Sequence, residues 1–309
     1  MTGHPKLEAL VGRCATLPPL PTAIVHPCDA PSLDGALRAA GAGLIAPILV
    51  GPQARIRATA LAAGLDLGAW TIIDTPHSHA SAERAVALVR EGGAAALMKG
   101  SLHTDELMAA VVAKEGGLRT ARRVSHVFVM DVPTYPKLLL ITDAAVNILP
   151  SLEDKADIVA NAIELAQALG IATPKVAILS AVETVTAKLP STIEAAALCK
   201  MAERGQILGG LLDGPLAFDN AISKDAARTK GIVSDVAGDA DILLVPDLEA
   251  GNMLAKTLTF LGGADAGGIV LGARVPIVLT SRADSLAARM ASCAIAVLMA
   301  NRKKDSSFF

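Results

Sequence analysis

The feature that most constrains the fold is the regular alternation of short apolar runs with longer amphipathic stretches. The short runs are rich in Val, Ile and Leu and mostly lack polar alternation, which is typical of parallel strands covered on both faces. Strands that alternate with helices in this way predict right-handed βαβ units and an α/β fold. The predicted strands are Thr22–Val25, Ile45–Val50, Trp70–Ile73, Ala94–Met98, Val124–Met130, Lys137–Ile141, Val176–Leu179, Gln206–Leu212, Ile242–Val245, Gly268–Leu271 and Pro276–Leu279.

The longer stretches carry apolar residues at helical spacing and charged residues on the opposite face. Leu152–Leu169 shows this pattern most clearly, and Ala80–Glu91 shows it as well. Serines before such stretches predict helix N-caps, and glycines after them predict helix ends. The predicted caps are Ser32, Ser151 and Ser191, and the predicted terminating glycines are Gly64, Gly170 and Gly205.

One strand pair departs from the alternation and helps to place the domain boundary. Val124–Met130 and Lys137–Ile141 are separated only by a short loop that contains proline, which predicts an antiparallel pair. A new helical series begins after Thr142–Leu149, and the last helix, Asp284–Lys303, is expected to return to the first domain. The sequence therefore predicts one α/β domain from residues 1–142 with 272–309, and a second from residues 143–271.

Composition excludes several classes of function. The chain is 52% hydrophobic but only 2% aromatic, and its formal net charge is −2, which argues against a nucleic-acid partner. Its mean hydropathy is +0.48, yet the longest nearly apolar run, Met290–Ala300, is much shorter than the ~20 residues of a membrane span. The N-terminal segment has no signal-peptide core. Four scattered cysteines favour reduced thiols in a cytoplasmic protein.

Ligands of open α/β sheets bind beyond the carboxyl ends of the strands, so the turns that follow predicted strands are candidate sites. Lys99, Gly100 and Thr104 follow Ala94–Met98; they suit an anion at a helix N-terminus, or form an ordinary turn whose cap is Thr104. Thr280-Ser-Arg-Ala-Asp284 follows Pro276–Leu279, and its hydroxyls and guanidinium suit a phosphate or oxyanion. Here Asp284 has the spacing of either a base or a capping partner of Ser281.

Two later turns carry carboxylates, and one loop carries a group of cations. Asp213 and Asp247 follow predicted strands, and Gly251-Asn252 offers backbone and amide donors; ordinary turns are the alternative interpretation. The cations Arg119, Arg122 and Arg123 suggest an anionic partner or a solvated turn. His77 and His79 lack a third residue at metal-ligand spacing, so no metal site is predicted.

Five blocks of this sequence resemble the phosphate acetyl/butyryltransferase family. They are Met98–Thr104, Leu139–Asn147, Asp213–Asn220, Gly238–Asn252 and Thr280–Asp284, and they are collinear between about residues 94 and 303. The resemblance implies the reversible reaction of acyl-CoA with phosphate to give acyl phosphate and CoA. It implies CoA as a substrate, no metal or redox cofactor, and a homodimer formed through the second domain. It also implies the two-domain fold of isocitrate and isopropylmalate dehydrogenases, with mostly parallel sheets, helices on both faces and an active site in the interdomain cleft.

The resemblance also implies roles for individual residues. Ser281 and Arg282 match the pair that supplies the oxyanion donor and the phosphate contact. The acetyl branch has a catalytic Asp seven residues after this serine, where the present chain has Ala288, so Asp284 becomes the candidate base. Arg119 or Arg122 is the candidate for the arginine that the acetyl branch has after its His-Thr motif. The residues expected to bind substrate are Lys99, His103, Thr104, Arg119, Asp213, Asp247, Gly251 and Asn252.

Several alternatives stay open at this point. Acetyl is the favoured acyl group, with butyryl as the main alternative, because one methylene changes binding in a pocket by only ~1–3 kcal/mol. A metal- and NAD-dependent hydroxy-acid dehydrogenase of the same fold is a more distant alternative. A non-catalytic sensor of acyl-CoA or phosphate is the third. The scarcity of aromatic residues predicts that aliphatic walls and cations, without an aromatic clamp, hold the nucleotide end of CoA.

Overall fold

The computed structural model describes residues 3–280 and 284–306, with side chains described as far as residue 302. Its helices are α1 (Pro5–Arg13), α2 (Ala30–Gly41), α3 (Gln53–Ala62), α4 (Ser78–Arg90), α5 (Thr104–Val111), α6 (Leu152–Ala168), α7 (Pro190–Glu203), α8 (Phe218–Ile222), α9 (Lys224–Thr229), α10 (Leu248–Phe260) and α11 (Leu286–Ser306). Its strands are β1 (Leu20–Val25), β2 (Ile45–Val50), β3 (Ile72–Ile73), β4 (Ala96–Lys99), β5 (Ser125–Asp131), β6 (Leu139–Thr142), β7 (Lys175–Leu179), β8 (Leu211–Leu216), β9 (Ile242–Leu244), β10 (Asp265–Leu271) and β11 (Ile277–Val278).

The chain divides into two compact units. The N-terminal unit comprises Leu7–Val124 and Gly267–Phe309, and the central unit comprises Met1–Lys6 and Ser125–Ala266. The sequence placed the first boundary at residue 142, whereas the structure groups Ser125–Thr142 with the central unit. The physical reason is that β5 pairs antiparallel with β6, which in turn pairs parallel with β9 of the same unit.

The N-terminal unit orders its strands as β3-β2-β1-β4-β11-β10. Neighbours from β3 to β11 are parallel, and β10 runs antiparallel to β11. All four residues of β4 are buried, so both faces of this strand are covered, as the continuous apolar runs predict. The chain adds β2 and β3 on one side of β1 and β4 on the other. Strand order therefore reverses between β1 and β4, which makes this pair a topological switch point.

The central unit orders its strands as β5-β6-β9-β7-β8. The predicted antiparallel pair is confirmed as β5 and β6, and the other neighbours are parallel. Its core is aliphatic, with Ile141, Ala177 and Leu243 from three neighbouring strands almost fully buried. The mostly parallel α/β fold predicted from the sequence is thus confirmed.

One predicted strand is wrong in its placement. The run Gln206–Leu212 is a strand only from Leu211, because Gly205 and Gly209 adopt left-handed backbone angles and turn the chain before it. The strand then continues through Asp213 to Leu216. β8 lies at the end of the strand order, where a proline such as Pro215 is tolerated because one side of the strand needs no ladder hydrogen bond.

The predicted helix ends are partly confirmed. Ser151 forms the predicted capping box with Asp154, and Gly64, Gly170 and Gly205 all have positive φ after helices. The other two caps are wrong, because Asp29 caps α2 and α7 begins at Pro190, one residue before Ser191. Proline suits the first helical turn because its missing N–H would have no helical partner there.

The last helix returns to the N-terminal unit, as the sequence predicts. It begins at Leu286, two residues later than expected. The Cys14 thiol, at the end of α1, donates to the carbonyl of Ala294 on this helix, and both groups are buried. None of the helices in the described part of the chain is both long and apolar enough to cross a membrane.

Candidate active site

The carboxyl ends of β1 and β4 meet at the switch point of the N-terminal unit. The amide of Gly100 donates to the carbonyl of Val25 at 2.9 Å, and the amide and hydroxyl of Ser101 both donate to the carbonyl of His26, at 3.0 and 2.9 Å. A β-carbon at position 100 would lie 2.4 Å from the Val25 oxygen and 2.7 Å from the His26 oxygen. Only glycine fits this approach of two backbones. The turn predicted to bind an anion therefore lies where α/β sheets place their ligands.

Three predicted binding residues lie on this turn. The Lys99 side chain is buried, with its amine 3.5 Å from the carbonyl oxygen of Gly100. Thr104 is the first residue of α5, so the prediction that it caps this helix is wrong. His103 is the N-cap residue and is exposed, but its side chain makes no capping hydrogen bond. The turn thus combines a buried cation with a helix N-terminus, which is favourable for an anion.

The second predicted site of this unit follows β11. Ser281 and Arg282 lie outside the described residues. Asp284 is half-buried, and the hydroxyl of Ser285 accepts from the amide of Ala288 at 3.0 Å, which is N-cap geometry. A serine other than Ser281 therefore provides a hydroxyl cap at the start of α11.

Asp284 lines a pocket of about 610 Å³ in the N-terminal unit. Five of the nine described lining residues are aliphatic and none is aromatic; the other four are two arginines and two aspartates, of which Arg38 pairs with Asp34 at 2.9 Å. Arg289 is only 6% exposed, and its guanidinium donates to the Thr280 hydroxyl at 3.3 Å. The described lining residues are Ala30, Pro31, Asp34, Arg38, Ala63, Leu65, Asp284, Leu286 and Arg289.

Sequence reasoning missed Arg289 and the pocket itself. A signal was available, because Arg289 is a charged residue early in a helix that is otherwise rich in alanine and apolar residues. The partners from α2 and the segment after α3 were not accessible from sequence, because they lie more than 200 positions away in the chain.

Arg119 lies at the opposite edge of the same sheet. Its backbone forms an antiparallel bridge with Ala273, and the amide of Arg274 donates to the carbonyl of Leu118 at 2.9 Å. These residues precede β11, whereas Lys99 ends β4 and Thr280 comes after β11, and these two strands are parallel. The structure therefore does not bring the exposed Arg119 to the edge that carries Lys99.

In the central unit, β6 and β9 end side by side, and three of the predicted residues lie just after β9, at the start of α10. Asp247 caps α10 by accepting from the amide of Ala250 at 2.8 Å. The Asn252 side-chain amide donates to the carbonyl of Ala144 at 3.2 Å. A β-carbon on Gly251 would lie 2.7 Å from a Val245 methyl, so this glycine permits close packing of helix and strand. The observed contacts of the three residues are therefore structural.

Asp143, just after β6, is a buried carboxylate that sequence reasoning did not single out. It accepts hydrogen bonds from the amides of Ala145 and Val146, at 2.9 and 3.0 Å, and from the side chain of Asn147 at 2.6 Å. These hydrogen bonds hold the segment that follows β6 around the Asp143 side chain. Asp213, by contrast, lies inside β8, where its side chain accepts from the amide of Gly214 at 2.8 Å. It is not at the strand end that the sequence predicted.

His126 on β5 is almost fully buried, and its ring meets Phe128 edge-on at 4.4 Å between centroids. Burial lowers the pKa of His126 to about 4, and the opposing effect of Asp143 is smaller. The folded protein therefore holds this ring neutral under conditions in which an unfolded histidine is protonated.

This shift predicts a pH dependence of stability. Unfolded His126 gains a proton as the pH falls through 6.5, whereas the folded protein gains it only near pH 4. Stability is therefore lost across this window, and the loss reaches about 3 kcal/mol at its lower end. Chemical denaturation between pH 7 and 4 should show a smaller loss for His126→Asn than for the unaltered protein. Parallel curves for the two proteins would contradict this expectation.

Within residues 3–280 and 284–306, no three His, Cys, Asp or Glu side chains are grouped so that they could hold a metal ion. The strand ends of this α/β fold carry a buried lysine and helix N-termini, which are features that favour an anionic ligand.

The comparisons with known proteins identify the family. Residues 77–297 match the family model described as Phosphate acetyl/butaryl transferase. A phosphate acetyltransferase from Rhizobium meliloti is 66% identical over 299 residues, which cover 97% of this chain and 95% of the relative. A phosphate butyryltransferase from Clostridium acetobutylicum is 45% identical over 275 residues, which cover 89% and 91%. The chain belongs to the phosphate acetyl/butyryl transferase family and is an acyltransferase.

Solved structures support the same assignment. A branched-chain phosphotransacylase from Enterococcus faecalis V583 matches with a TM-score of 0.78 and 32% identity, covering 91% of this chain and 99% of the other. A 4-hydroxythreonine-4-phosphate dehydrogenase from Burkholderia phymatum matches with a TM-score of 0.55 and 14% identity, covering 92% and 99%. The second likeness concerns the fold alone. The dehydrogenase-like fold is thus confirmed, while the family favours the transferase over the dehydrogenase alternative.

Proposed function

We propose that the protein catalyses reversible transfer of an acetyl group between CoA and inorganic phosphate. The observation that carries this proposal is the 66% identity to a phosphate acetyltransferase over nearly the whole chain, against 45% to a phosphate butyryltransferase. Acetyl is therefore the favoured acyl group, and butyryl transfer as the main activity is the second candidate.

The reaction needs a base, cations and an oxyanion donor. A base takes the thiol proton of CoA, and the thiolate sulfur attacks the carbonyl carbon of acetyl phosphate. The carbon–sulfur bond forms, the carbon–oxygen bond to phosphate breaks, and phosphate leaves with the electron pair. We assign the oxyanion donor to Ser281, the phosphate contact to Arg282 and the base to Asp284. No metal or redox cofactor enters these steps.

The described residues support this assignment at two points. The pocket that contains Asp284 has aliphatic walls, no described aromatic side chain, and two arginines beside two aspartates, and we assign it to the nucleotide end of CoA. Lys99, at the end of β4, and Arg289, on α11 beside Thr280, are both buried in the same unit and are the cations we assign to phosphate groups. The opposite placement of Arg119 makes it a poor candidate for that role.

The decisive experiment is phosphate-dependent release of CoA from acetyl-, propionyl- and butyryl-CoA, with EDTA present in a parallel series. We expect kcat/KM to be highest with acetyl-CoA and to be unaffected by EDTA. A higher kcat/KM with butyryl-CoA would transfer the assignment to the second candidate, and no release from any of the three would overturn the function. Binding of CoA without turnover would favour the sensor alternative.

The proposed enzyme acts in the cytoplasm as a homodimer formed through the central unit. Met253 and Phe260 of α10 and Leu261, which follows it, are exposed at 63%, 77% and 85%, and Ile148 and Leu149 are also exposed. The amide of Leu248, at the start of α10, donates to the carbonyl of Ile148, so Ile148 and Leu149 lie beside the start of this helix, whereas Phe260 and Leu261 lie at its other end. Exposed apolar side chains are typical of protein interfaces, and a second copy that packs along α10 would bury them.

Phe260→Asp is expected to convert the dimer into monomers, because burying an unpaired carboxylate in an apolar interface is costly. Size-exclusion chromatography with light scattering measures the change. The matched control is Leu61→Asp in the N-terminal unit, where a comparably exposed side chain (84%) should be replaced without effect on assembly. A Phe260→Asp protein that elutes like the unaltered protein would exclude this face as the interface.

A further inference from the structure

His26 follows β1 at the switch point and has an unusual backbone. Its φ is +55°, and it is the only non-glycine residue in the described part of the chain with a positive φ. Left-handed backbone is unfavourable for residues with a β-carbon, although histidine and asparagine tolerate it better than most. Such outliers persist only where the surroundings enforce them, and they concentrate at functional sites.

The imidazole of His26 is the anchor of this conformation. The residue is 6% exposed, and its Nδ1 lies 3.1 Å from the hydroxyl of Ser81 near the start of α4. That hydroxyl lies 2.8 Å from the Thr75 hydroxyl and donates to the carbonyl of His77. Burial, and then the charge of Arg55, lowers the pKa of His26, so the ring is neutral at neutral pH.

The carbonyl of His26 accepts hydrogen bonds from the turn that follows Lys99. It accepts from the amide and hydroxyl of Ser101 and also from the amide of Cys28 at 2.8 Å. The Ser101 hydroxyl in turn accepts from the Cys28 amide at 3.1 Å. Because of the left-handed turn, the His26 carbonyl accepts hydrogen bonds from the segment that follows β1, at Cys28, and from the segment that follows β4, at Ser101.

We propose that His26 is a positioning residue for the anionic substrate. Its imidazole, anchored on Ser81, holds the left-handed turn whose carbonyl orients Ser101 and thereby the Lys99 turn. The inference rests on the proposed function, in which Lys99 contacts phosphate. Replacing His26 should therefore weaken the binding of inorganic phosphate more than it slows the chemical step.

Three substitutions at position 26 separate the anchor from the backbone. His26→Ala removes the ring and keeps a β-carbon, so both the anchor and the tolerance of left-handed backbone are lost. His26→Gly removes the ring but adopts positive φ freely, and His26→Asn keeps that tolerance and a side-chain hydrogen-bonding group. We expect KM for phosphate to rise about tenfold in His26→Ala, less in His26→Gly and least in His26→Asn, with kcat nearly unchanged. Ser81→Ala should raise KM in the same direction.

The control is Leu10→Ala, which removes a buried side chain of the same unit in α1 and destabilises it without touching the turn. If the KM for phosphate rises in Leu10→Ala as it does in His26→Ala, in proportion to the loss of stability, His26 has a merely structural role and the inference is overturned. Unchanged KM in His26→Ala would also overturn it.

Amide hydrogen exchange gives a readout that does not depend on activity. The amides of Gly100 and Ser101 should exchange faster in His26→Ala than in the unaltered protein, but not in Leu10→Ala. If the unaltered protein releases no CoA with phosphate, the proposed function fails. Faster exchange in His26→Ala alone would then still support the positioning of the turn, and unchanged exchange would contradict it.

Discussion

Ser281→Ala is expected to lower kcat for phosphate-dependent CoA release by about 10²–10³-fold, with little change in KM. A donor aimed at the developing oxyanion stabilises the transition state more than the ground state, and removing one such donor typically costs this much. Initial rates across a range of acetyl-CoA and phosphate concentrations separate the two constants.

Ser285→Ala is the matched control for this prediction. Ser285 is a serine of the same segment, and its hydroxyl accepts from the amide of Ala288 at the start of α11. Its removal should cost about 1 kcal/mol of stability as a lost helix cap and leave kcat largely intact. An unchanged kcat in Ser281→Ala, or equal losses of kcat in both variants, would remove the oxyanion role from Ser281.

The second large effect is expected at Gly100. Gly100→Ala introduces a β-carbon 2.4 and 2.7 Å from the carbonyl oxygens of Val25 and His26, which are backbone atoms and cannot rotate away. The strands must separate at the switch point, so we expect a loss of about 3 kcal/mol in the free energy of unfolding. Phosphate-dependent activity should fall with it, because the Lys99 turn moves. Urea denaturation and steady-state rates measure the two effects.

Gly12→Ala provides the comparison. Gly12 lies in α1, and no atom within 4 Å would meet an added β-carbon. Alanine there should raise stability by up to about 1 kcal/mol, because glycine is unfavourable inside a helix. If Gly100→Ala were as stable and active as Gly12→Ala, the result would contradict the close contact of Gly100 with the backbone of Val25 and His26.

Sequence reasoning recovered the elements because their signals are local. Buried parallel strands require continuous apolar runs, and Ile45–Val50 has the same bounds in the sequence prediction and in β2. The capping box of Ser151 and Asp154 was readable because both partners lie within one turn. Gln206–Leu212 failed because glycine backbone angles, which interrupt an apolar run, outweighed hydropathy there.

The site was predictable only as a set of turns. Lys99 and Asp284 were found because polar groups that follow apolar strands are conspicuous in an alanine-rich chain. The structure then separated Arg119 from Lys99, because a residue that precedes β11 lies at the other edge of a parallel sheet. It also added Arg289, which contacts Thr280 across the start of α11, and His26, whose partner Ser81 lies 55 positions away in the chain.

The pattern of residues along the chain was enough to specify an α/β fold, most of its strands and the family. Hydrophobic period, caps and motif spacing depend on neighbours in sequence, so they can be read without coordinates. Tertiary structure alone decided the strand order, the switch point between β1 and β4 and the left-handed turn at His26. These features arise from contacts between segments far apart in the chain, such as the two hydrogen bonds from Ser101 to the carbonyl of His26.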